Sequence, residues 1–416
     1  MPIKYLLCFY LFLVAISVPA QVSLTQNMVS FTDAAVKNNE LRAIGKAIGN
    51  RRIVVLGEQD HGDAASIQAK ARLVQYLCEQ KGFSVLLWEG DFFAFQQLNR
   101  GAGNDWIKEA RSITEPFWAS GSATEALWQF ASDKARTQQP LRMDGFAMGF
   151  ASAYSKQYAA AALEKLLTGR SLTLLSSPDR SWFMDVFASL LSGQQTNYTE
   201  TEKKLFYQWC DRLSEELDSV GSSPADAEQQ FVNNIKATAI YRWTRSYRSR
   251  QMARNADWLL KHRYSKEKVI IWTANFHAIK EYGLVVARDS VSNRFYQNAV
   301  DKDSVQTFTQ QLISKGHRNL YSLACISLSG TYTPRAWIST DHPVEPVAFV
   351  PGSIEKRIDS ATAGSLFCNL NQLPANHPLQ KALPMIPYLH TRTLTAQWKN
   401  AFDGILFIKK QRGLKE

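Results

Sequence analysis

Three short segments of the chain concentrate residues able to do acid–base chemistry. Gly57-Glu58-Gln59-Asp60-His61-Gly62 carries two carboxylates and a histidine, Glu89 and Asp91 close an apolar run, and Ala274-Asn275-Phe276-His277 sets a second histidine beside an amide. A neutral histidine oriented by a carboxylate can take a proton from water, which then attacks an acyl carbon. The oxyanion that develops needs donors, a role open to Asn275, His277, an arginine or backbone amides. Each group also has a plainer reading. Glu58 and Asp60 can begin a helix, where carboxylates favour the positive end, and His277 can be a hydrogen-bonded structural residue. Glu89 resists that treatment, because a carboxylate beside a buried strand needs partners or its pKa rises. Arg72 or an arginine of the 242–254 group could provide one. The sequence has no GxSxG elbow and no HExxH helix, the usual marks of serine hydrolases and zinc proteases. Two histidines and two carboxylates could hold a zinc ion, but their spacing is not diagnostic. The expectation is a site without metal or other cofactor.

The elements that would position these residues read as an α/β fold, a mostly parallel sheet with flanking helices. Short apolar runs at Arg52–Leu56, Phe83–Trp88, Leu141–Phe146 and Val269–Thr273 have the character of buried parallel strands, with further ones expected at Tyr321–Ile326, Val347–Val350 and Ile405–Ile408. Between the first two, Ile67, Ala71, Val74 and Leu77 recur at helical spacing over Ala64–Lys81, and Gly82 supplies the stop. Strand, helix, strand over that distance is a βαβ unit. In such sheets ligands bind beyond the carboxyl ends of the strands, which is where Glu58, His61, Glu89, Asp91, Asn275 and His277 fall. From about 150 to 265 strand signals give way to amphipathic stretches around Ala159–Leu167, Glu200–Val220 and Ala225–Lys261, with Gly221-Ser222-Ser223-Pro224 as a joint. This reads as a helical insertion or cap over the cleft.

Composition limits what else the chain can be. With 416 residues, 45% hydrophobic and 12% aromatic, it can bury a large core. Residues 1–20 pair Lys4 with an apolar run and end in Val18-Pro19-Ala20, the pattern of a cleaved signal peptide. Residues 21–416 then form the exported α/β domain, periplasmic or secreted, with no stable membrane insertion after the signal is removed. Cys78, Cys210, Cys325 and Cys368 stay with the domain, form no CxxC pair and read as separate buried thiols. The net charge is +11, but the basic residues are dispersed. At 100° per residue Arg242, Arg245, Arg248, Arg250 and Arg254 spread around a helix instead of forming one stripe, so no nucleic-acid footprint is inferred.

The order of these segments resembles the erythromycin esterase family. Its GExxHG segment reads GEQDHG here. The following helix and turn read LVQYLCEQKGF, and the strand closing on glutamate reads SVLLWEGD. The likeness continues through FWASGSATEALW, which holds Trp118 and Glu125, and through RSRQMARNADWL and VIIWTANFH. It implies an α/β core with a helical subdomain over the active cleft and His61 as the water-activating base, with Glu58 and Glu89 in the same cluster. His277 would lie across the cleft and Arg248 nearby on the cap helix. The chain departs from the pattern at Ala274, where the family often has histidine, and at Ala65, Ser249 and Ala147, where it often has acidic residues. The leading expectation is therefore an exported hydrolase of an ester or lactone. Arg72, Asp91, Arg248 and Asn275 would contact the substrate, and macrolide lactones, hence macrolide resistance, lie within the range. The alternatives are a relative that processes or binds an extracellular glycan or lipid, or a catalytically weak binding protein.

Overall fold

The structure is a computed structural model that describes residues 28–31, 38–100, 106–119, 121–169, 177–194, 196–219, 227–287, 306–334 and 343–414. The expected signal peptide and the joint at 221–224 lie outside the described residues. The strands are β1 (Met28–Phe31), β2 (Ile53–Leu56), β3 (Phe83–Asp91), β4 (Arg142–Ala147), β5 (Lys268–Trp272), β6 (Val286–Ala287), β7 (Leu320–Ser327), β8 (Thr331–Tyr332), β9 (Glu345–Pro346), β10 (Ser365–Asn369), β11 (Leu383–Tyr388), β12 (Arg392–Ala396) and β13 (Gly404–Ile408). Eight of them build one sheet in the order β1-β10-β13-β7-β2-β5-β3-β4.

The centre of this sheet is parallel, and its strands are hydrophobic on both faces because both are covered. Along β2, Ile53 and Val55 point into one apolar cluster while Val54 and Leu56 point into the other. The register sets the functional edge. Leu56 stands opposite Trp272 on one side and Leu323 on the other, and Trp88 also stands opposite Trp272. The segments leaving β2, β3 and β5 therefore emerge together.

Two strands add to the sheet antiparallel, β10 on β13 and β1 on β10. The strand expected at Val347–Val350 is corrected. Pairing there is confined to Glu345–Pro346 against the two-residue β8, with one further bond from the Val347 amide to the Gly330 carbonyl (3.0 Å).

Helices α1 (Asn38–Ile48), α2 (Ala64–Lys81), α3 (Phe92–Arg100), α4 (Trp106–Ile113), α5 (Pro116–Ala119) and α6 (Ser122–Ala135) belong to the sheet half. Helices α7 (Ala153–Gly169), α8 (Ser177–Ser192), α9 (Glu200–Ser219) and α10 (Ala227–Thr244) pack a core of their own around Phe183, Phe187, Phe206 and Phe231. The single stretch expected over Ala225–Lys261 is split. Arg245 and Tyr247 adopt left-handed backbone (φ 57° and 78°), and a new helix, α11 (Arg248–Trp258), starts at Arg248 and runs into a π-helical turn at Leu259–Arg263. The arginines of 242–254 therefore sit on two helices and their joint. Among the described residues no helix is long and apolar enough to cross a membrane, and Cys78, Cys210, Cys325 and Cys368 are free thiols.

Candidate active site

The loop after β2 is held as an extension of the sheet. Gly57 donates to the Leu323 carbonyl (2.8 Å) and Asn275 donates its amide to the Glu58 carbonyl (2.7 Å). A Cβ on residue 57 would meet the Asn275 Oδ1 at 2.2 Å, so glycine is required by close approach. Glu58 is then wholly buried and shares its two oxygens. Oε1 accepts from His61 Nδ1 (2.8 Å) and Oε2 accepts from the ammonium of Lys70. Lys70 rises from α2, reaches the Thr273 carbonyl (3.3 Å) and lies 4.1 Å above the Trp272 ring. Burial pulls its pKa down while Glu58 opposes the shift. His61 is packed between aromatic rings, flat against Phe117 at 4.9 Å and edge-on to Trp118 at 5.0 Å.

A second unit forms where β3 and β5 end. Glu89 Oε1 accepts from Arg248 Nη2 (2.8 Å), and Oε2 accepts from Thr273 Oγ1 (2.6 Å) and the Ala274 amide (3.3 Å). Burial alone would raise this carboxyl, but the Arg248 guanidinium opposes it and the carboxyl lies well below the usual range. Arg248 also donates from Nη1 to His277 Nε2 (2.8 Å). A guanidinium cannot accept, so Nε2 carries the lone pair and the ring proton sits on Nδ1. Burial keeps His277 below its ordinary pKa although Glu89 pulls the other way, so it is neutral near pH 7. Its Nδ1 is buried and takes no hydrogen bond among the described residues. Thr273 joins the two units, its carbonyl accepting from Lys70 (3.3 Å) and its hydroxyl donating to Glu89 (2.6 Å).

Of the residues singled out in the sequence, Glu58, His61, Glu89, His277 and Arg248 come together. Asn275 lies among them, but both ends of its amide are engaged by the backbone of Cys325, at 2.7 and 3.1 Å, so it fastens the loop to β7. Asp91 starts α3, accepting from the Ala94 amide (3.2 Å), and accepts from the amide and hydroxyl of Ser152 (3.1 and 2.8 Å). Arg72 is part-buried on α2 and bonds Gln75 (3.0 Å). Lys70 was not anticipated. The signal for it is its place on the apolar stripe of α2, three residues after Ile67 and four before Val74. Among the described residues no three histidine, cysteine, aspartate or glutamate side chains converge as a metal-ligand group.

A histidine–carboxylate pair and a second buried carboxylate thus lie together at the carboxyl ends of parallel strands. Residues 78–411 match the profile described as erythromycin esterase, and the chain belongs to that family. The matched span begins downstream of GEQDHG. "Putative hydrolase YbfO" of Bacillus subtilis (strain 168) is 22% identical over 374 residues, 79% of this chain and 76% of that protein. The fold is shared with a Bacillus cereus protein (TM-score 0.69, 18% identity, covering 94% of this chain and 96% of that one). It is also shared with a succinoglycan biosynthesis protein (TM-score 0.67, 16% identity, 94% and 96%). A histidine-to-asparagine mutant of the erythromycin esterase EreC in its open conformation is similar too (TM-score 0.64, 14% identity, 92% and 98%). The family and YbfO together make this chain a hydrolase.

Proposed function

We propose that the chain is an exported hydrolase of ester or lactone bonds in which His61 activates water. The observation that carries this reading is the 2.8 Å bond from His61 Nδ1 to Glu58, whose other oxygen is held by Lys70. Donation from Nδ1 fixes the tautomer and leaves Nε2 as the basic nitrogen. Nε2 takes a proton from water as the water oxygen bonds the acyl carbon, and the carbonyl electron pair moves onto oxygen. Collapse of that intermediate expels the alcohol, which recovers the proton from the imidazolium. Lys70 balances Glu58, and Arg248 balances Glu89 beside a neutral His277. Arg248 is the donor for the negative charge that develops on the substrate oxygen. The part-exposed Arg248, 28% accessible, marks the open side. Export rests on the signal-peptide pattern of residues 1–20 and is tested by sequencing the N-terminus of the mature protein from cell fractions.

A screen of purified protein against activated aryl esters, lactones and macrolides, with His61→Ala and Glu89→Gln beside the wild type, tests the reading. Hydrolysis by wild type that falls at least a hundredfold in both variants supports it. Indistinguishable rates across all substrates sink it. Metal analysis of the same samples adds a check, since stoichiometric metal lost in His61→Ala would replace the metal-free mechanism. A second reading, an extracellular glycan bearing ester-linked groups, is favoured by Ala274 in place of a family histidine and by the fold shared with the succinoglycan biosynthesis protein. Acylated polysaccharide in the screen separates the two.

A further inference from the structure

Behind the catalytic loop lies a set of buried titratable groups that the chemistry above does not use. Asp63 ends the turn that contains His61. Its Oδ2 accepts from the Asp60 amide (3.0 Å), and its Oδ1 lies 2.7 Å from His390 Nε2, both side chains being fully buried. Asp60 in turn accepts from the Gly62 amide (3.0 Å). His390 stands at the tip of the β11–β12 hairpin, where Leu389 and His390 both hold left-handed backbone (φ 56° and 48°). The same hairpin fixes the residue on the other side, since Leu389 donates to the Gln59 carbonyl (2.7 Å) and Gln59 Nε2 donates to the Ile386 carbonyl (2.7 Å). Gln59, Asp60, Gly62 and Asp63 are thus tied down directly or through one another, and His61 rides between them. Burial by itself would discharge His390, but Asp63 and Asp60 outweigh it and hold the imidazole above its ordinary pKa.

A buried histidine–carboxylate pair is a poor way to add stability, because desolvation offsets most of the attraction and apolar residues of similar size do as well. Its distinct property is direction, since an imidazole N–H and a carboxylate satisfy each other in few geometries. Here that direction is spent on one turn, across 327 residues of sequence.

We propose that Asp63 and His390 are a positioning pair for His61, clamping residues 60–63 so that the imidazole presents Nε2 to the water and acyl carbon. The proposal rests on the reading of His61 as the base. The test uses His390→Gly, because glycine takes the left-handed backbone without strain and leaves a void shaped for imidazole. Histidine is 15N-labelled and the ring nitrogens of His61 are followed, together with kcat and KM on an activated aryl ester, with and without added imidazole. The expected result is a cooperatively folded variant whose His61 signals move or broaden. Its kcat should fall about 10- to 100-fold, as a displacement near 1 Å produces, with KM changed less than about twofold, and imidazole should reverse both effects. A lowered melting temperature with His61 signals and kcat as in wild type would make the pair a mere staple and overturn the proposal. Should the glycine variant not fold, the near-isosteric Asp63→Asn is read by the same signals, and an unchanged His61 spectrum there overturns the proposal equally. If His61 responds and imidazole restores it while the wild type hydrolyses no ester, the positioning role stands and the esterase reading falls.

Discussion

Replacing Lys70 by methionine removes a charge that has no solvent to fall back on. Both Lys70 and Glu58 are wholly buried, so the screening that makes surface pairs nearly worthless does not apply. Methionine fills most of the same volume, which leaves the orphaned carboxylate as the main cost, about 3–5 kcal/mol for a broken buried pair. The cation over the Trp272 ring is part of that figure and is not added to it. At about 2 cal/mol/K per residue, a chain of roughly 400 residues has an unfolding entropy near 0.8 kcal/mol/K, so the melting point should drop by about 4–6 °C. Scanning calorimetry at neutral pH reads this directly. The companion is Lys70→Met with Glu58→Gln, which removes both charges and keeps an acceptor for His61. It should regain more than half of the lost stability while remaining inactive toward esters. A single mutant that melts with the wild type, or a double mutant no more stable than the single, would show that Lys70 is not there to hold Glu58.

Two further outcomes concern groups near the same loop. Burial raises Glu355 to about 7, although one oxygen accepts from the Ile386 amide at 2.8 Å. The folded state therefore keeps a proton that the unfolded chain has released, so this stability is full below about pH 4.5 and lost as pH rises through about 7. Glu355→Gln should then match the wild type near pH 4 and exceed it by about 3 kcal/mol at pH 8, and a difference that does not vary with pH would refute the assignment. At the mouth, Arg248→Lys keeps the charge but loses the fork that serves Glu89 and His277 together. With Arg248 part-exposed, stability should move by less than about 1 kcal/mol, whereas kcat should fall about 100-fold if the guanidinium meets the oxyanion. Unchanged kcat with an intact melt removes it from that role.

The frame was legible because its signals are local. Aliphatic runs at β2, β3, β5, β7 and β13 read as strands, and their register delivers Glu58, Glu89 and His277 to one edge, as the topology of such sheets requires. Of the two cation sources offered for Glu89, the arginines of 242–254 supply it through Arg248, whereas Arg72 bonds Gln75. Glu58 and Glu89 do need cations, but Arg72 lies 200° around the helix from Lys70, off the stripe that Ile67, Ala71 and Val74 bury. The β11–β12 hairpin was hidden for a different reason. Pro384 and Pro387 demote β11 by the rule that proline leaves the ladder, yet here the strand bends with a register shift between Met385 and Tyr388 and still pairs.

What the sequence could not disclose has a common physical form. Among the described residues, four that are not glycine hold left-handed backbone, and they are Arg245, Tyr247, Leu389 and His390. No glycine or asparagine announces either site, so local preference argues against both, at a cost of order 1–3 kcal/mol per residue. Only tertiary contacts can hold them. The first break starts α11 at Arg248 and sends its guanidinium to Glu89 and His277, and the second turns the hairpin so that His390 meets Asp63 behind His61. The places where the backbone is forced are thus the places from which distant segments reach the candidate site. That coincidence is what a preorganised site requires, and it ties the split helix and the C-terminal hairpin to the same small group of atoms around His61.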